Sequence, residues 1–218
     1  MNSLFSLDSK IVQFFSRVAE LMLLNLLWLV TCLPIITIGA ANTAMYKATF
    51  SLIRDESSSV FTTYFRSFIT NFRQSTAIFF IMLLLTVLLA ADAWVIFAGL
   101  LPYVSFQYAL LLVPGVVILF MGCYVHPLIA MFENATRQML KNAFLLSFAN
   151  LPVTITVAVL NLLPLLILYF HTAAFLAAGV IWVMLGFSTI AYVNSLFLNR
   201  IFNRLMETGP SSENMSID

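Results

Sequence analysis

The stretch Thr76–Gly99 reads TAIFFIMLLLTVLLAADAWVIFAG, in which Asp92 is the only charged residue. A hydrocarbon core of ~30 Å is crossed by about 20 helical residues, so this segment alone is long enough to span a bilayer. Three further runs of the same kind follow at Tyr103–Phe132, Leu151–Phe170 and Thr172–Leu198. The remaining residues cannot redress the balance: 62% of the 218 residues are hydrophobic and 9% are charged, and the mean hydropathy is +1.02. A water-soluble domain carries roughly 25% charged residues. The expected fold is therefore an all-α, polytopic helical membrane bundle. Spans and short connections use nearly the whole chain, which predicts a single membrane domain over residues 1–206 and a short disordered cytoplasmic tail at 207–218.

Net charge is only +1, but the placement of the charges is informative. Lys and Arg in short loops mark the cytoplasmic side. Arg54, Arg66 and Arg73 precede the first long run, and Leu100–Pro102 after it has no basic residue. Arg137 and Lys141 lie in the next connection, only His171 in the one after, and Arg200 and Arg204 in the tail. The alternation places the C-terminus in the cytoplasm. Lys10 and Arg17 also belong there by the same rule, which requires an even number of crossings before Arg54. Val18–Ile38 supplies one. Gly39–Ile53 would return as a second, short and weakly hydrophobic span holding Asn42, Thr43 and Lys47, with Lys47 reaching the interface along its aliphatic stem. The reading is thus about six spans. The alternative has five, with Gly39–Ile53 lying on the membrane as an interfacial amphipathic helix.

Amphipathic basic segments precede each pair of spans. Phe61, Phe65, Phe68 and Phe72 form one helical stripe, while Arg66 and Arg73 share another face. Ser57, Ser58 and Ser59 offer N-caps for that helix, and Asn134 for the helix over Ala135–Phe148. Such segments read as anchors to anionic headgroups.

Polar residues inside apolar runs are functional suspects because they are costly in lipid. Asp92 and Gln107 come to similar depth on consecutive helices and could bond each other. Asn25 and Lys47 would share a depth near the inner face and could pair. Asn161 could bond across to a neighbouring helix, and Pro164 and Pro114 permit kinks. His126 reads as an interfacial anchor. Pro34 and Gly39, with Ala40, Ala44 and Ala48 at helical spacing, mark Cys32–Ala44 as a helix break followed by a close-packing surface. Cys32 and Cys123 fall near opposite faces in this topology, which disfavours a disulfide.

Residues 25 to 74 carry a resemblance. Asn25-Leu-Leu-Trp28, Leu33-Pro34, Thr37-Ile-Gly39-Ala-Ala and Thr43-Ala44-Met-Tyr46 resemble the start of YesL-like bacterial membrane proteins. Leu52-Ile-Arg54-Asp55, Ser67-Phe68, Asn71-Phe72 and Gln74 continue it, although three serines follow Arg54-Asp55-Glu56 where a more charged or aromatic stretch is expected. The resemblance implies a plasma-membrane protein of Gram-positive bacteria, of unknown biochemical role, often encoded beside sugar-transport or polysaccharide-use proteins. It implies an accessory role in carbohydrate uptake, with sugar-transporter membrane subunits as partners, and no catalytic residues.

The sequence has no phosphate-binding loop, no His-Glu-x-x-His and no Gly-x-Ser-x-Gly, so neither enzyme chemistry, a metal, a cofactor nor nucleic acid is expected. Two functions remain. One is a non-enzymatic accessory protein that packs on a membrane partner. The other is a small solute transporter or channel in its own right, acting as a homo-oligomer and using Asp92, Gln107 and Asn161.

Overall fold

The computed structural model describes residues 10–98, 105–170 and 179–207. The connections at 99–104 and 171–178 and the predicted tail beyond Glu207 lie outside these residues. Among the described residues there are seven helices and no strand. They are α1 (Lys10–Cys32), α2 (Ile38–Ile53), α3 (Val60–Phe97), α4 (Ser105–Met131), α5 (Thr136–Ala149), α6 (Leu151–Phe170) and α7 (Gly179–Glu207). Five of them, α1, α3, α4, α6 and α7, are long and apolar enough to cross a membrane.

The first break falls where the residues require it. Pro34 removes a backbone donor and pushes Leu33 out of helical geometry. α1 stops at Cys32, and a 3-10 turn at Ile35–Thr37 leads into α2. α2 holds 16 residues, about 24 Å at 1.5 Å each. It is not among the helices long and apolar enough to cross a membrane, as the six-span reading expects, nor is it the exposed amphipathic helix of the five-span alternative. Twelve of its residues are buried, enclosed by α1, α3, α4 and α7, and the core of the protein is assembled around it. The stripe Gly39, Ala40, Ala44 and Ala48 is fully enclosed.

Gly39 sets the closest approach. A Cβ built on it would run into the Ser75 carbonyl oxygen and come 2.7 Å from Phe79 Cβ. Only hydrogen fits, so α2 and α3 meet backbone to backbone there. Close packing of small residues replaces the hydrophobic drive that lipid cannot supply.

α3 departs from the sequence expectation. The predicted basic amphipathic segment and the following span are one unbroken helix of 38 residues, about 57 Å long. No Gly or Pro occurs between Val60 and Phe97, so nothing ends it. Its buried residues are Val60, Tyr64, Ser67, Ser75 and Ile78, whereas Phe61 at the start of the aromatic stripe is exposed. Of the two buried serines, Ser75 sits at the Gly39 contact and bonds to Thr43 of α2. Phe65 and Phe68 pack at the edge of the core, and the Tyr64 and Phe68 rings stack at 6.3 Å.

The other helices continue past their breakers. α4 runs through Pro114 and Pro127, and α6 through Pro164. Of the predicted caps, one keeps its position and one is corrected. Ser59 takes the N-cap position of α3, without a side-chain cap bond. Ala135, rather than Asn134, stands at the N-cap of α5, and the Asn134 carbonyl instead accepts a bond from Gln74 at 2.6 Å.

Candidate functional site

α2 is buried on so many sides that several of its polar side chains bond to other helices. Asn42 Oδ1 accepts from Trp28 Nε1 of α1 at 2.8 Å. The Thr43 hydroxyl accepts from Ser75 of α3 at 2.9 Å and lies 3.2 Å from His126 Nδ1 of α4. Tyr46 OH lies 3.4 Å from the Asn194 amide of α7, and the Thr49 hydroxyl 2.7 Å from that of Ser195. Asn194 also donates to Asn161 Oδ1 of α6 at 2.8 Å. Its own Oδ1 is buried with no hydrogen-bond partner among the described residues.

Some of these groups line a cavity of about 210 Å³. Trp28, Asn42, Tyr46, His126, Asn161 and Phe187 are its main walls, contributed by five helices, and Pro164 and Gly122 complete it. The Trp28 and Phe187 rings lie 4.5 Å apart beside it, tilted at 34°. No Asp, Glu, Lys or Arg lines it. The volume equals that of about seven water molecules at ~30 Å³ each. Aromatic walls with a few fixed amide and imidazole groups suit a small uncharged solute or ordered water.

Asn25 has a separate role. Its amide nitrogen donates to the carbonyls of Trp182 and Val183, while its Oδ1 accepts from the backbone N–H of Ser188 at 2.8 Å. The side chain is inserted into the backbone ladder of α7, where Trp182–Gly186 is wound as a π-turn. A wide turn leaves backbone groups unbonded, and the Asn25 amide satisfies both polarities at once. A Cβ at Gly186 would lie 2.7 Å from the Trp182 indole, so the glycine leaves room for that ring to fold back.

Asn25 and Lys47 are therefore not brought together. Lys47 faces another cavity, formed by α2, α3 and the end of α4. Asp92 and Gln107 line one cavity of about 240 Å³ between α3 and α4. Asp92 is exposed there and Gln107 half-buried. Pro34 begins the 3-10 turn, and Gly39 and Ala44 lie in the α2 contact surface. His126, read as an anchor, instead lines the central cavity.

Sequence reasoning did not single out Asn42, Ser188, Asn194 or Ser195, nor the bonds from Arg54 to Asn199 (2.9 Å) and Asn203 (2.9 Å) that tie the end of α2 to α7. A signal was available. Ser188, Ala191, Asn194, Ser195, Leu198, Ile201 and Phe202 recur at helical spacing, which is a buried face with three polar members.

Long apolar helices enclosing a mutually bonded polar interior define a multi-pass helical membrane protein. Residues 21–93, spanning most of α1, all of α2 and most of α3, match the family described as "Protein of unknown function, DUF624". None of the curated proteins and none of the solved structures matches the chain.

Proposed function

We propose that this chain is a non-enzymatic membrane protein that docks against a membrane partner, as an accessory component of carbohydrate uptake or polysaccharide utilisation in the bacterial plasma membrane. Asp92 carries the reading. It is exposed on the outer half of α3, among the exposed Leu84, Leu88, Trp94 and Phe97. A carboxylate within the apolar part of a spanning helix is costly unless it finds a partner. A partner helix offering a donor removes that cost. The YesL-like resemblance supports the link to sugar uptake, and the basic residues of the tail support a cytoplasmic C-terminus. Photo-crosslinking from position 94, in cells growing on a polysaccharide, tests it. A covalent adduct with a sugar-transporter membrane subunit, lost with Asp92→Leu, is expected. Adducts only with a second copy of this chain, or none, would sink the accessory reading.

The central cavity favours a second reading, a small transporter of uncharged solute. In reconstituted vesicles, glycerol or monosaccharide flux that falls with Asn161→Leu would establish it, and flux equal to that of empty vesicles would remove it.

A further inference from the structure

The cavity beside Lys47 has a volume of about 430 Å³, and its charged walls are Lys47, Arg66, Glu56 and Glu133. Thr62 and Asn71 are among the hydroxyl and amide groups between them, and Met131–Phe132 makes an apolar wall. Lys47 is the only charged residue of α2. It is half-buried, and no carboxylate lies within ion-pair distance of it among the described residues. An ammonium that makes no direct ion pair keeps its N–H donors available to an anionic group entering the cavity at this point. Arg66 faces the same space from α3.

Hydrogen bonds fix the backbone at or beside each of the two acids. Glu56 follows a left-handed residue, Asp55 at φ 51°, and its N–H bonds the Ser51 carbonyl at 3.1 Å, which closes the end of α2. Glu133 lies in the α4–α5 connection, pinned next door by the bond from Gln74 to the Asn134 carbonyl. Two cations and two anions thus line one space from three separately fixed backbones, without pairing among themselves. A simple anion would suffer from the glutamates, and a simple cation from Lys47 and Arg66.

We infer that this cavity binds a zwitterion joining a phosphate to a primary ammonium, with the phosphate on Lys47 and Arg66 and the ammonium on Glu56 and Glu133. Three N–H donors let a primary ammonium bridge two carboxylates, whereas a quaternary one has none. The apolar wall at Met131–Phe132 suits the glycerol end of an aminophospholipid. A free amino-phosphate offers the same charges.

The test is native mass spectrometry of the purified full chain in detergent, titrated with phosphatidylethanolamine, phosphatidylcholine and phosphatidylglycerol. Phosphatidylethanolamine adducts should predominate. Glu133→Gln and Arg66→Gln should each weaken them about tenfold, the loss of one charge-assisted bond. Both positions are exposed, so unchanged thermal unfolding verifies that these variants fold. Adducts that resist excess O-phosphoethanolamine identify the lipid as the ligand, and adducts displaced by it identify the free zwitterion. Equal binding of the three lipids overturns the inference. So does phosphatidylglycerol binding that rises with Glu133→Gln, which would make the cavity a plain anion site.

Discussion

The Asn25 side chain accepts the backbone N–H of Ser188 at 2.8 Å, joining α1 to a residue 163 positions away in the π-turn region of α7. One amide thereby replaces bonds that the wide turn gives up. Asn25→Leu leaves Ser188 N–H and the Val183 carbonyl without it in an apolar setting. The expected loss is about 1–3 kcal/mol, read as a lower unfolding temperature in detergent. Asn25→Asp keeps the acceptor but not the donor and should fall between.

Gly39 and Gly122 form a matched pair of helical glycines. Gly39→Ala drives a methyl into the Ser75 carbonyl and Phe79, and neither can retreat without separating α2 from α3. Overpacking of this kind costs about 1–3 kcal/mol or more. At Gly122 an added Cβ meets nothing within 4 Å, so Gly122→Ala should be neutral or slightly stabilising. Equal unfolding temperatures for the two variants would contradict the close contact.

Asn161 and Asn194 share a 2.8 Å bond across α6 and α7. A double-mutant cycle with Asn161→Leu and Asn194→Leu should give a coupling of about 0.6–1.7 kcal/mol, the range for interhelical bonds in membranes. Additive effects would mean that the two amides act independently.

Asp55 is the one non-glycine residue with positive φ among the described residues, and its carboxylate pairs with Arg17. Asp55→Asn tolerates the left-handed backbone and gives up only an exposed pair, so a change below about 1 kcal/mol is expected. Asp55→Val should lose about 1–2 kcal/mol more, because a β-branched side chain is strained there. Chemical denaturation of both variants separates the backbone term from the ionic one.

The membrane class, the limits of α6 and the break at Pro34 were legible because each depends on consecutive residues: a charge-free run, or a missing backbone donor. α3 was misjudged at its centre. Arg66 and Arg73 suggested a boundary, yet nothing between Val60 and Phe97 stops a helix. The aromatic stripe and the basic face read as an anchor on the membrane surface, yet the same helix buries Tyr64, Ser67 and Ser75 in the bundle, with Ser75 at the close approach of Gly39. The partners of Asn25 and Lys47 were misplaced for the same reason, since depth in a bilayer does not say which neighbour a side chain turns toward.

Composition and periodicity alone determined that most of these side chains are solvated by lipid, because a nearly uncharged run has no favourable contact with water however the chain folds. Tertiary structure alone decided that a 16-residue helix holding Asn42, Thr43 and Lys47 becomes the centre of the bundle. Its uncharged polar groups bond to residues up to 148 positions away. Local propensity carries no record of such pairings, which exist only once the helices have packed.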